Sequence, residues 1–570
     1  MSATVNLLTN STITKRQAED PHAVPQYEET FLQLTLLIAY FMVLTVWLFR
    51  LVLSFATDSY PKRPSVDHGL ANHCNNVDAE SQNSNGDASP QASFRIIVSN
   101  EFMTLEHKPH KAEEIKEEPV NAQAAPHESK PTHDSPPRPG PEVVSLDKFL
   151  SALVLFGAVM IYFYMCDYRK LFEQGERTYS RDVFLFLVFL FFLVSCCFTI
   201  KPNSDKILNR DQTEEWKGWM QVMFVWYHYF KAKEWYNWIR VYIACYVWMT
   251  GFGNFSFFWI RNDYTLWRFL KMMFRLNFMV IFVAMATNNE YMLYYICAMH
   301  TYWFISVYVF MRVLQSWNRN RKLMALKFLA YAIFNSVIFE IPGFGYYIFR
   351  PFKFLLGLHD NSPDVLHEWI FRAGLDHWAC FFGMLCAYNY PHFETLIHYL
   401  DSKSISKNEA LKKQCVRALM GAICLVLGFV WYFVFMTKDK YQYNGIHPYT
   451  SIIPILVYIV LRNIHPYFRS YHVSLFAWLG KITLETYLSQ IHIYLLSNAR
   501  TLLVFLHGYP LLNFSLTTII YLFMSHTMFS ITNDCSSYFL PKDHKKLLMN
   551  VICMTALFGA SALIAFGFSY

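Results

Sequence analysis

The residues able to do chemistry in this chain stand where lipid should exclude them. His228 lies in the aromatic run MFVWYHYF, eleven positions after Lys217. At ~1.5 Å of helical rise per residue it sits roughly 16 Å beyond Lys217, near the middle of a bilayer. His300, in YYICAMHTYW, reaches a similar depth from the other end of its own apolar run, as do Asp376 and His377 in EWIFRAGLDHW. Glu485 and His492, in KITLETYLSQIHIYLL, are seven residues apart, about two helical turns, and so share a face. Arg240 opens the helix after His228, while Arg275 and Asn277 come early in the span that begins near Lys271.

Each of these residues also has an ordinary structural role. A single buried histidine packs against a neighbouring helix. Lys217, Arg240 and Arg275 can snorkel to an interface. Glu290 suits a helix N-terminus, Gln490 suits interhelical hydrogen bonding, and Asp376 with His377 makes one local pair. Several histidines and carboxylates at like depth on different helices are a poor coincidence, because each is costly there unless it faces protein or water. They imply a buried polar cavity. Such a cavity suits proton-coupled transport, with histidine and carboxylate relaying protons. It equally suits acyl transfer, with a neutral histidine deprotonating a hydroxyl or carrying the acyl group, and basic residues at the mouth holding donor phosphates. Spacing alone does not choose.

The elements that must position them are membrane helices. Of 570 residues, 54% are hydrophobic and only 16% charged, and the first 145 are largely polar. The remainder reads as runs of about 20 apolar residues bounded by charge, hence an all-α polytopic bundle of about 13–14 spans. The first span starts at Phe31 within 31–56, two more fill 147–200, and the rest lie in a multi-span domain at 201–570. The tail 1–30 is polar, carries the sequon Asn10-Ser11-Thr12 and shows no cleavable signal peptide. Residues 57–146 are rich in Ser, Asn, Pro, Glu and Lys, the composition of a disordered loop. The stretch 343–358, broken by Gly, Pro, Arg and Lys, reads as re-entrant or interfacial.

Basic residues cluster in 201–210, 261–271, 312–327, 403–417 and 542–546, and the span order puts all five on one face, which the positive-inside rule makes cytoplasmic. That spends the net charge of +7 on topology, and no nucleic-acid partner follows. The twelve cysteines form no CxxC pair, so neither a metal site nor a disulfide framework is expected. GDAS at 86–89 has Ala88 between acid and serine, and Asp364-x-x-His367 stands without a serine block. Neither makes an esterase.

The segments LNRDQTEEWKGWMQ, YHYF, IRVYIACYVWMTGFGNFSFF, RLNF, NNEYMLYYICAMHT and LGKITLETYLSQIH resemble one family over roughly residues 200–535. These are the membrane domains of eukaryotic polysaccharide and sialic-acid O-acetyltransferases, which include the fungal capsule acetylation protein and the plant Reduced Wall Acetylation proteins. The Lys217-x10-His228 spacing also resembles the Arg-x10-His signature of bacterial acyltransferase-three proteins. The resemblance implies a multi-pass Golgi or ER membrane enzyme that takes acetyl from cytosolic acetyl-CoA toward lumenal glycan hydroxyls without a metal. On it, His228 is the base or acyl carrier, with His300 and His492 as acceptor-side or relay groups and Glu485 and Asp376 orienting a histidine. Lys217, Arg240, Arg275 and Asn277 would hold the donor. The serine-esterase-like domain of some members is expected to be missing here, so the chain either acetylates acceptors itself or feeds a separate lumenal acetyltransferase. In those members the insert after the first span is lumenal, whereas the charge count puts 57–146 on the cytoplasmic side.

Overall fold

A computed structural model of the protein describes residues 30–58, 144–356 and 364–569. The polar tail, the sequon, the GDAS segment and most of 57–146 lie outside these residues. The described chain is helical, with two small antiparallel strand pairs: β1 (Glu173–Glu176) with β4 (Thr501–Val504), and β2 (Ile200–Pro202) with β3 (Tyr471–Val473).

The first helices are α1 (Phe31–Asp58), α2 (Leu146–Phe163) and α3 (Arg181–Phe198). The hairpin that follows pairs α4 (Arg210–Phe230) with α5 (Tyr236–Arg261). Asn209 starts α4 by accepting from the Gln212 amide at 2.9 Å, and Lys231 ends it in the left-handed region at φ 57°. Next come α6 (Leu266–Thr287), α7 (Tyr295–Arg312) and α8 (Arg321–Glu340), then α9 (Asp364–Leu375) and α10 (His377–Asp401). The C-terminal part holds α11 (Lys407–Trp431), α12 (Lys440–Thr450), α13 (Ile452–Asn463), α14 (Ser474–Lys481), α15 (Thr483–Ser489), α16 (Pro510–Phe539) and α17 (His544–Ser569). Of the segment 343–358, the described residues 343–356 form short helical pieces, among them Phe344–Phe349 and Lys353–Leu356.

The chain is thus a polytopic helical membrane bundle, and each of the fourteen expected positions holds helix. Among the described residues, however, only ten helices are long and apolar enough to cross a bilayer, or eleven if α12 and α13, bent by 59°, make one span. The expected 13–14 overcounts for a physical reason. The helix α4 carries Arg210, Asp211, Glu214, Glu215 and Lys217 in its first half, α10 contains Pro391, and the α14–α15 stretch is broken at Ile482 and again in a π-helical turn at Gln490–Tyr494. Of these, α4 and the α14–α15 stretch are walls of a polar cavity, and their polar residues line it.

Two close helix crossings build that interior. A Cβ on Gly480 would lie 1.9 Å from the Glu214 carbonyl oxygen, and one on Gly218 1.9 Å from that of Phe476, so α4 and α14 touch backbone to backbone. Gly251 and Gly383 do the same for α5 and α10, at 2.2 Å from Cys380 and Trp248 carbonyls.

The five basic loops gather at one end. Arg469 pairs with Asp205 at 2.9 Å and with Asp401, which Arg417 also holds at 2.7 Å. Gln315 donates to Asn262 at 2.8 Å, and the Trp267 indole to the Leu540 carbonyl at 2.9 Å. The β1–β4 pair belongs to the opposite end, beside the α4–α5 turn, where Arg177 donates to the His228 and Arg500 carbonyls at 3.1 and 3.0 Å.

Candidate active site: two cavities back to back

From the basic end a cavity of about 1450 Å³ runs into the bundle between α4, α5, α6, α7 and the α14–α15 break. Six cations line it: Arg210, Lys217, Arg268, Lys271, Arg275 and Lys481. Glu214 is the one carboxylate there, so the lining carries a net +5 (six basic less one acidic). Glu214 steers two of the cations, Lys217 at 2.7 Å and Arg210 at 3.9 Å. Gln221 also lines this cavity, and its amide nitrogen is buried with no partner among the described residues. At the inner end stands His300. Its Nδ1 lies 2.7 Å from the Thr250 hydroxyl, whose own proton goes to the Tyr246 carbonyl at 3.1 Å. The imidazole therefore donates from Nδ1 and keeps a lone pair on Nε2.

From the opposite end two further cavities, of about 1850 and 1290 Å³, converge on His228. Five residues line both: Phe224, His228, Tyr295, Glu368 and Arg372. The His228 Nδ1 lies 2.9 Å from the Phe224 carbonyl, one helical turn earlier. A carbonyl only accepts, so the neutral ring holds its proton on Nδ1 and Nε2 is left as the basic nitrogen. Between this junction and the basic cavity lies a thin wall. Phe224 lines all three cavities, Ile243 and Tyr487 two each on either side of it.

Lys217 and Arg275 line the basic cavity with His300, and His228 stands across the wall from them. His228 is not halfway along its helix. The helix begins at Arg210 and ends at Phe230, so His228 occupies the last turn and sits toward the opposite end. Arg240 does not join the other cations. It pairs with Asp376 at 2.9 Å on the His228 side, and the other oxygen of Asp376 lies 3.4 Å from His447 Nε2. Asp376 thus does face a histidine, but it is His447, which the sequence reading missed.

Glu485 orients no histidine. It takes both guanidinium nitrogens of Arg275, one at 3.0 Å. The break after α15 turns His492 away from Glu485, so their shared face is lost. Buried His492 bonds Asp167 at 2.7 Å and the Tyr294 hydroxyl at 2.5 Å, and Asp167 is also held by Ser497. Asn277 ties Thr301 and Tyr291 together, at 3.0 and 2.5 Å. Neither Asn277 nor His492 lines any of the three cavities.

Sequence reasoning also missed Arg210, Arg268 and Lys271 as cavity walls, having read them only as topology signals, and gave Lys481 no role. Asp167, a carboxylate late in an apolar span, carried the same signal as His228 and could have been found by it. Among the described residues no cluster of His, Cys, Asp and Glu could hold a metal ion.

The fold and the site thus define a polytopic helical membrane protein in which a cationic cavity meets a histidine-bearing junction across a thin wall. The description 10 TM acyl transferase domain found in Cas1p matches residues 88–552, and the chain belongs to that acyltransferase family. Among curated relatives, the N-acetylneuraminate (7)9-O-acetyltransferase of Danio rerio is 33% identical over 422 residues, 71% of this chain and 52% of that protein. The chain spans about half the length of that relative. No solved structure matches it.

Proposed function

We propose that the protein is an O-acetyltransferase that draws acetyl from acetyl-CoA at its basic, cytosolic end and delivers it to a glycan hydroxyl at the opposite, lumenal end, in a Golgi or ER membrane. One observation carries this reading: the +5 cavity and the His228 junction meet across Phe224. The donor is a polyphosphate, and the lining of the basic cavity suits it. Lys217, Lys271, Arg268 and Lys481 would hold phosphates, and the unpaired Gln221 amide offers a further donor. The junction side differs in kind. Around His228 the larger cavity mixes Arg240, Arg372 and Lys440 with Glu340, Glu368 and several tyrosines, a lining suited to a hydroxyl-rich acceptor.

In this reading His228 Nε2 takes the acceptor proton as the hydroxyl attacks the thioester carbonyl, and returns it to the departing thiolate. The test is purified protein in liposomes with labelled acetyl-CoA and glycan. Label on glycan, lost in His228→Ala, is the expected result. Intact acetyl-CoA accumulating inside vesicles, unchanged in His228→Ala, would instead make the chain a carrier.

A further inference from the structure

We infer that Arg372 is a catalytic residue of this site, holding the oxyanion that forms opposite His228; this rests on the acetyl-transfer reading above. Arg372 is one of only five residues that line both cavities meeting at His228, and the one cation among them. Its guanidinium is fixed from two directions. The Nε donates to Glu368 at 2.9 Å, one turn earlier on α9, and the plane sits 4.0 Å over the Tyr295 ring. Both neighbours are themselves junction residues. Glu368 and Tyr295 therefore spend the Nε edge and one face of the guanidinium, and the two Nη groups, with no described bond, are left for the junction.

Of the other charges lining this side, Arg240 is neutralised by Asp376, and Lys440 lines only the larger cavity, with its ammonium 4.8 Å over the Tyr236 ring. Glu340 takes Trp378, Tyr449 and His377, at 3.1, 3.2 and 3.3 Å. Acyl transfer needs two groups on opposite sides of one carbonyl: a base for the incoming hydroxyl and a donor for the oxygen that becomes negative. His228 supplies a lone pair on Nε2, and Arg372 supplies the N–H pair. As the acceptor oxygen bonds to the carbonyl carbon, its proton passes to His228 and the carbonyl π pair moves to oxygen, where Arg372 binds it. The pair then returns, the carbon–sulfur bond breaks, and the thiolate takes the proton from His228. Thioester and alcohol give ester and thiol, with nothing left over.

The test uses the full chain in liposomes, comparing Arg372→Ala, Arg372→Lys and His228→Ala. Loss of one oxyanion donor is expected to cut kcat on the order of 100-fold in Arg372→Ala. The KM for acetyl-CoA should stay near its normal value, because the cations that would hold the donor's phosphates lie across the wall. Arg372→Lys should retain more turnover, and guanidinium ion added to Arg372→Ala should restore part of it. Normal turnover in Arg372→Ala, or an equal loss in both variants with no rescue, overturns the inference. If Arg372→Ala does not fold, Glu368→Ala carries the test: freeing the guanidinium should lower kcat about 10-fold at unchanged thermal stability, and unchanged kcat overturns the inference. Wild-type protein that acetylates no glycan, or does so equally well in His228→Ala, strikes the underlying reading instead.

Discussion

Phe224 does two jobs at once: its carbonyl fixes the His228 tautomer, and its ring stands 4.6 Å from the imidazole as part of the wall between the basic cavity and the His228 junction. Truncating it to Ala keeps the carbonyl and removes the wall. Water can then reach the thioester, so Phe224→Ala should release free CoA in the absence of any glycan, a leak read directly with a thiol reagent. A silent Phe224→Ala would mean that the wall is not where donor and acceptor meet. The Arg275–Glu485 pair is a different case. Glu485 is fully buried, so Arg275→Ala strands a carboxylate and should cost about 3–5 kcal/mol, whereas the double change Arg275→Met, Glu485→Leu should recover most of that. A thermal-unfolding double-mutant cycle checks it. Asp376 and Arg240 follow the same logic, with His447 as third partner.

At the scale of elements, the shape of the donor cavity hangs on how closely α4 approaches α14. Nothing larger than hydrogen fits at Gly218 or Gly480, since the facing atoms are backbone carbonyls that cannot rotate away. Gly480→Ala should therefore push the two helices apart, at a cost of about 1–3 kcal/mol for overpacking. The shift would move Lys481 and Glu214, and with Glu214 the Lys217 ammonium it steers. The expected signature is a raised KM for acetyl-CoA with less change in kcat, measured by steady-state kinetics. A matching Gly251→Ala, on the α5–α10 crossing, should lower stability and disturb the Thr250–His300 bond next to it.

Over the whole molecule, charge is sorted by end. The cationic cavity opens among loops that cluster basic residues, so in the proposed reaction one charge distribution would both orient the protein and collect an anionic donor. That double use predicts strong screening. Raising salt from about 0.05 to 0.5 M should raise the KM for acetyl-CoA several-fold, because the Debye length falls to a few Å, while the KM for a neutral acceptor should scarcely move. Equal salt effects on both would remove the electrostatic division between the cavities.

Along the chain itself one can read the class of fold, the apolar runs that become helices and the unusual depth of Lys217, His228 and His300, which line the cavities. Each of these rests on a local cost that any reader of the chain can see: a charged or polar group amid apolar neighbours. Only the tertiary structure decided the partners. Arg240 and Arg275 looked alike along the chain, yet their carboxylates, Asp376 and Glu485, come from residues 136 and 210 positions away and on different sides of the wall. His492 looked like a relay, and a helix break turned it to Asp167, 325 positions earlier. Periodicity gives depth and face along one helix; it cannot say which other helix lies opposite, because that depends on close contacts such as Gly218 with Phe476 that leave no mark in spacing. The junction at His228 is likewise tertiary: Tyr295, Glu368 and Arg372 reach it from two other helices, and their sequence neighbours give no hint that they would meet there.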